Sequence, residues 1–231
     1  MNTTKEHKNQ RYQQTIQRIT DSYLKLMQKK PWDKITVKEL CSCAGITRGT
    51  FYLYFSDIYE LMARIQDNLL EDFSRRYSQL CQKPAQDFSY ESFPEKFDYG
   101  APESLNMWFS FCSENRDSIM ALLHPEYGDE YFSFKIKGRL REIINEMMDY
   151  DHMAQDSLRA YFLNMFVEMH LIVIRSWLFS RKEDILSVND MIQLLNSLRV
   201  GANYLVYKHK TCPDFPQKIH AFDDTFPTFL E

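Results

Sequence analysis

Apolar residues recur at intervals of three and four along most of the chain, a spacing that predicts helices. Tyr12, Ile16, Ile19, Tyr23 and Leu26 form the first such stripe, in a helix over about 11–30 that Pro31 ends. The same periodicity predicts helices over about 37–44, 47–55, 57–80, 103–112, 115–123, 130–149, 156–180 and 188–205. Only six Gly and eight Pro interrupt 231 residues, so we expect an all-α protein of about nine helices.

Breaks in this periodicity divide the chain. The polar N-terminus predicts a flexible basic arm over 1–10, followed by a helix-turn-helix domain over 11–57. A helical regulatory and dimerisation domain is predicted over 58–210, and an extended C-terminal tail over 211–231. Within the larger domain, residues 82–102 contain three Pro and one Gly and are predicted to be a loop.

The segment 35–55 carries the most functional information. Thr36 and Glu39 have the spacing of a capping box that starts one helix, Gly45 supplies a tight turn, and Thr47 can cap the next helix. This order predicts a helix-turn-helix, whose second helix presents its first residues to the major groove of DNA. A plain helical hairpin with polar outward positions is the alternative.

The start of that second helix reads Thr47-Arg48-Gly49-Thr50. Arg48 can make a bidentate contact to guanine, and Thr50 can donate a hydrogen bond or offer its methyl group to thymine. Gly49 lets the backbone approach the DNA closely.

The charge distribution is compatible with such a role, although the net charge is −4. Residues 1–60 hold ten Lys and Arg against six Asp and Glu, whereas residues 61–231 hold eighteen against twenty-six. A basic N-terminal segment on an acidic body suits a phosphate-facing head. An ordinary solvated charged face would give the same counts.

Other chemistry has little support in the sequence. The five Cys are odd in number and form no CxxC pair, which favours reduced thiols in a cytoplasmic protein without a metal site. No nucleophile–base pair, phosphate loop or paired carboxylates indicate an enzyme, and no cofactor is expected. The N-terminus lacks a signal peptide's apolar run, and no membrane span is expected.

At the linked positions from Ile35 to Phe55 (ITVKELCSCAGITRGTFYLYF), the sequence resembles the tetracycline-repressor (TetR) family. The match extends over about residues 11–70. It implies a three-helix DNA-binding head and a larger C-terminal body that binds a ligand and forms a homodimer. It also implies a DNA-binding set for double-stranded operator DNA: Thr36, Lys38, Thr47, Arg48, Gly49, Thr50, Tyr52 and Tyr54.

Two departures from the family pattern stand out. Many members carry a Lys where Ile58 stands, so one phosphate contact is expected to be missing, and the basic arm could compensate. The segments 113–117 and 166–178 resemble the C-terminal domain of one family branch, in which Gly is frequent at the position of His170.

Expectations for the body are less specific. The last two helices are expected to form the dimer through a four-helix bundle, with an interface of Leu158, Met165, Ile172, Trp177, Met191, Leu195, Leu198 and Ala202. A pocket for a small apolar or aromatic effector is expected among Trp108, Phe109, Phe111, Phe162, Phe166, Met169 and His170, although for any single one of these ordinary core packing is favoured.

The resulting interpretation is a ligand-responsive transcriptional regulator, with repression as the family's usual sign. Ligand binding would tilt the helix over about 57–80 and lower operator affinity. The alternative is a regulator of the same fold that acts through a protein partner, with residues 82–102 and 211–231 as the contact segments.

Overall fold

The computed structural model describes residues 3–80, 89–181, 183 and 186–212. These residues form no strand and ten α-helices: α1 (Thr3–Met27), α2 (Val37–Ala44), α3 (Arg48–Tyr52), α4 (Ile58–Ser78), α5 (Phe93–Lys96), α6 (Glu103–Glu114), α7 (Arg116–Leu122), α8 (Glu130–Tyr150), α9 (Ser157–Leu178) and α10 (Val188–Thr211). Short 3-10 helices cover Trp32–Lys34 and Tyr90–Ser92. The expected all-α fold is confirmed.

Side-chain caps start the helices where the sequence predicts them. Thr36, Thr47, Asp57 and Ser187 each accept a hydrogen bond from the backbone N–H three residues later. Such bonds satisfy donors that have no partner within the helix. The starts of α2, α3, α4 and α10 are therefore decided by local chemistry.

Some boundaries differ from those predicted. α1 begins at Thr3, so residues 3–10 are helical and not the expected flexible arm; the stretch has neither Gly nor Pro and is rich in good helix formers. α10 continues to Thr211, six residues past the prediction. Most of the predicted tail, residues 213–231, lies outside the described residues, as do 82–88 of the predicted loop.

The described part of that loop contains α5, a short helix that the sequence analysis did not predict. Pro94 is in its first turn, where a missing N–H costs nothing. Phe93 and Phe97 stack on each other with ring centroids 4.5 Å apart, and Phe93 stacks on Tyr207 of α10 at 5.1 Å. These aromatic contacts attach α5 to the body.

One continuous cluster of buried side chains runs through both the N-terminal helices and the body. α1 packs on α2 and α7, α8 on α9, and α10 on α6. α4 links the two regions because it contacts α6 and α8 and also buries Ile58, Leu61 and Ile65 near its start. Ile58 is therefore a core residue.

α9 is long and apolar enough to cross a membrane by length and composition alone, although the sequence led us to expect no such segment. One helix of this kind is weak evidence, because the core helix of a soluble protein passes the same test. A third of its most apolar window is buried inside the protein.

Candidate DNA-binding interface and ligand cavity

The first helix of the predicted helix-turn-helix, α2, begins at a complete capping box. The Thr36 hydroxyl oxygen accepts from the Glu39 N–H at 3.2 Å, and the Glu39 carboxylate accepts from the Thr36 N–H at 3.1 Å. Lys30 donates to the same carboxylate at 2.6 Å. These hydrogen bonds, that of Lys30 first, lower the pKa of Glu39 to about 2. The start of α2 is therefore fixed to the end of the α1 region.

The turn after α2 depends on Gly45. Its φ is +62°, in the left-handed region that favours glycine. The Ile46 N–H donates to the Cys41 carbonyl at 3.0 Å, and the Gly45 N–H to the Ser42 carbonyl at 3.4 Å. This pair of bonds is the helix-ending pattern that a left-handed residue permits. It directs the chain into α3 at a sharp angle.

The second helix, α3, is one turn long. The Thr47 side chain accepts from the Thr50 N–H at 3.0 Å, and the two hydroxyl groups lie 2.9 Å apart. Phe51 is fully buried and anchors α3 to the core. A Cβ at Gly49 would meet only the Thr47 hydroxyl, at an ordinary 3.7 Å, so packing within the protein does not require glycine there. Gly49 is exposed, which is compatible with close approach of another molecule.

The predicted DNA-binding residues lie within this short region. Six are exposed: Thr36, Lys38, Thr47, Arg48, Gly49 and Tyr52. Thr50 and Tyr54 are half-buried, and the Tyr54 ring packs against that of Tyr12 at 5.0 Å. Among the described residues, neither Lys38 nor Arg48 has an acidic partner. Both cations therefore remain available to an anionic ligand.

Comparison with known proteins agrees with this geometry. Residues 19–65 match the model of the bacterial regulatory proteins of the tetR family. Residues 19–65, which include α2 and α3, are therefore similar to that family's domain. A search of curated protein sequences finds no match.

Solved tetR-family structures share the fold along most of the chain. A regulator from Streptomyces coelicolor is 16% identical, with 94% of this chain and 91% of that chain covered at a TM-score of 0.53. One from Streptococcus agalactiae is 19% identical, with 84% and 97% covered at 0.50. The fatty acid degradation regulator FadR from Bacillus halodurans is 16% identical, with 80% and 93% covered at 0.53. The protein thus has the fold of a tetR-family transcriptional regulator.

The C-terminal body of the protein contains a cavity of about 350 Å³. The cavity is open on one side and lies between α4, the segment before α6, α8 and α10. Its lining residues include Tyr77, Pro102, Glu103, Glu146, Tyr150 and Arg199. Sequence reasoning did not place any of these residues in a pocket. They come from separate elements, and no periodic pattern marks them.

The predicted ligand residues lie elsewhere. Trp108 and His170 line a recess of about 10 Å³ that shares three lining residues with the larger cavity. The His170 Nδ1–H donates to the Phe166 carbonyl at 2.6 Å, and burial lowers the pKa of His170 to about 4. Phe109, Phe111 and Phe166 are buried in the core, and Phe162 and Met169 pack against that core. None of these five lines either space among the described residues.

The predicted dimer residues separate into two groups. Exposed side chains are those of Leu158, Met165, Ile172 and Leu198. Buried within the chain's own core are those of Trp177, Met191, Leu195 and Ala202, so their assignment to an interface is wrong for this structure. The Trp177 N–H, for instance, donates to the Leu186 carbonyl at 2.8 Å, and its ring meets Phe109 edge-on. α9 and α10 each carry apolar residues on two faces. On each helix, one of the two faces packs within the chain's own core.

The exposed apolar residues of the C-terminal helices form a regular pattern instead. On α9 and just beyond it, Leu158, Met165, Ile172 and Phe179 follow at intervals of seven residues, and Tyr161 is exposed beside them. On α10, Leu194, Leu198 and Leu205 are exposed. A seven-residue repeat is the spacing of helices that pack along their length against another helix.

No group of three or more His, Cys, Asp or Glu within the described residues could hold a metal ion.

Proposed function

We propose that the chain is a homodimeric repressor that binds a palindromic operator through α3 and releases it when a small molecule fills the body cavity. The observation that carries the DNA-binding part is the Thr47–Thr50 segment, in which Thr47, Arg48 and Gly49 are exposed. A cap and a buried Phe51 hold it in place, and neither Arg48 within it nor Lys38 of α2 has an acidic partner among the described residues. Rigid presentation of polar and cationic groups is what base readout in the major groove requires.

Selection of binding sites from random double-stranded DNA tests this proposal. Purified full-length protein should enrich an inverted repeat whose half-sites lie about one helical turn, ~34–36 Å, apart. Binding should weaken steeply as salt rises, because phosphate contacts release counterions. Failure to enrich any sequence at low salt would contradict the proposal.

The heptad stripe on α9 supports the homodimer. Leu158, Met165 and Ile172 expose about half of their surfaces in a row along one helix, a contiguous patch that a soluble monomer rarely leaves uncovered. Light scattering with gel filtration should give a dimer at micromolar concentration. Ile172→Glu should shift it toward monomer, because a charge would enter an apolar contact.

Phe134→Glu provides the matched control for the dimer test. Phe134 is 73% exposed on α8, outside the heptad stripe. This variant should remain dimeric. Equal effects of the two substitutions, or a wild-type monomer, would contradict the proposed interface.

The position of α4 supports a coupling between ligand binding in the cavity and DNA binding by the head. The first turns of α4 bury Ile58 and Leu61 near the helix-turn-helix, and Tyr77, in its last turn, lines the cavity. Between them, the buried Gln66 amide donates to Asp129, the residue that caps α8. A ligand that moves the end of α4 would therefore act on a helix that also packs against the head, and its effect is limited by its preference between the two states.

A further inference from the structure

The body cavity is large enough for a small organic molecule. Its volume of about 350 Å³ falls in the lower part of the range for small-molecule sites. Apolar walls come from Leu80, Pro102, Ile143 and Met147. A molecule in this space would bury hydrocarbon against them, which favours a ligand with an apolar portion.

The polar part of the lining is mostly anionic. Four carboxylates line the cavity: Asp98, Glu103, Glu146 and Asp149. Glu103 has no cationic partner among the described residues, and Glu146 accepts a hydrogen bond from the Tyr77 hydroxyl and no ion pair. Asp149 is paired with Arg159 at 2.7 Å. Glu103 and Glu146 are both exposed, and within the described part of the chain neither forms an ion pair.

Arg199 is the one cation that lines the described part of the cavity, and it is already engaged in hydrogen bonds within the protein. It holds Asp151 through two hydrogen bonds, at 2.8 and 2.5 Å, and both groups are buried. Its remaining nitrogen donates to the Asp98 and Gly100 carbonyls at 3.1 Å. With its hydrogen bonds used, Arg199 is poorly placed to capture an anionic ligand.

Aromatic rings and one unsatisfied donor complete the surroundings. Tyr77 and Tyr150 line the cavity, and tyrosine ring faces attract cations. The inner recess is lined by Trp108, which is 1% exposed and whose indole N–H has no hydrogen-bond partner among the described residues. A buried donor without a partner is uncommon in proteins, and the π face of an aromatic ligand can accept its hydrogen bond.

We infer that this cavity takes a lipophilic cation: an amine or quaternary ammonium compound with an aromatic or aliphatic body. The cationic group lies near Glu103 and Glu146, and the apolar body extends along Ile143 and Met147 toward the recess at Trp108. The inference rests on the proposed function in one respect, which is the role of that compound as the effector. It also sharpens the sequence-based expectation of an apolar or aromatic effector by giving the ligand a sign of charge.

A series of three compounds with the same carbon skeleton tests the sign of the ligand's charge. The probes are 4-phenylbutylamine, 4-phenylbutan-1-ol and 4-phenylbutanoate, which at pH 7.5 are cationic, neutral and anionic. Calorimetric titration into the full-length protein should show the amine binding at least about tenfold more tightly than the alcohol, and the carboxylate most weakly. Equal binding of amine and alcohol, tighter binding of the carboxylate, or no binding by any of the three would overturn the inference.

Substitution of the two carboxylates tests where the cationic group of the ligand binds. Glu103→Gln with Glu146→Gln should weaken amine binding about tenfold and leave alcohol binding within twofold. The matched control, Glu71→Gln with Glu130→Gln, removes the same charge from exposed positions that do not line the cavity and should change neither. Equal effects of the two double variants would overturn the assignment.

Operator binding, measured in the same samples, keeps the two proposals apart. Amine binding that fails to release operator DNA supports the ligand class and contradicts the effector role. Intact operator binding without selectivity for the amine contradicts the ligand class alone.

Discussion

Replacing Arg199 by Met should destabilise the protein strongly and in a pH-dependent way. Arg199 donates to both oxygens of Asp151, to two backbone carbonyls, and to Asn196 at 3.2 Å. Methionine has a similar reach but no donor. The variant would leave the Asp151 carboxylate buried with Asn203, at 3.0 Å, as its hydrogen-bond donor.

The expected cost follows from that isolated charge. Removing one partner of a buried ion pair costs about 3–5 kcal/mol of unfolding free energy. Burial already raises the pKa of Asp151 even with Arg199 present, and loss of the guanidinium would raise this pKa further. A folded-state pKa above the unfolded value means that protonation favours the folded state as pH falls. The loss should therefore be larger at pH 8 than at pH 5.5.

Urea unfolding at both pH values, followed by tryptophan fluorescence at one fixed protein concentration, measures this effect. Arg139→Met is the control: Arg139 is half exposed and, within the described residues, pairs with Glu142 at 3.3 Å, so this substitution should cost less than about 0.5 kcal/mol. Asp151→Asn added to Arg199→Met should recover part of the loss. Equal losses for Arg199→Met and Arg139→Met, or a loss that does not change with pH, would refute the reasoning.

Two further predictions concern buried and strained positions. Because burial lowers the pKa of His170 to about 4 from an ordinary 6.5, wild-type stability relative to His170→Gln should fall by about 2 kcal/mol between pH 7 and pH 5, as the unfolded state takes up the proton first. Parallel pH profiles in urea unfolding would contradict this. Gly45→Ala should cost about 1–2 kcal/mol because of its positive φ, whereas Gly138→Ala, in open space within α8, should stabilise by about 0.5–1 kcal/mol. The same sign for both alanine variants would show that backbone conformation is not the cause.

The helix-turn-helix could be predicted from the sequence because its signals are local. The caps at Thr36 and Thr47 are hydrogen bonds that span three residues, and the turn at Gly45 depends on one backbone angle. Distant parts of the chain have little influence on such features. Helix starts were accordingly predicted to within a residue or two in this region.

The packing of the body could not be predicted in the same way. Trp177 and Ile172 belong to one apolar helix, yet Trp177 is buried and Ile172 is 59% exposed. Periodicity shows that α9 has apolar faces but not which neighbour covers each of them, because α8 is remote in sequence. The dimer residues assigned from periodicity were therefore wrong for the four buried positions.

The cavity escaped prediction for a related reason. Its lining comes from four separate parts of the chain, and Arg199 lies on the buried face of α10, among both apolar and polar residues. That face did carry a signal: Asn196, Arg199 and Asn203 follow at helical spacing and are all buried. Polar side chains on the core face of a helix indicate a buried polar network. This network holds the segment beside the cavity.

The most direct test of the account is the effect of Arg48→Ala on operator binding, compared with Lys38→Ala at several salt concentrations. Arg48→Ala should cost about 1–3 kcal/mol and relax the preference at one base position, whereas Lys38→Ala should weaken binding to all sequences alike and lower the salt slope by about one. Unchanged affinity and unchanged sequence preference in Arg48→Ala would contradict the placement of α3 in the major groove.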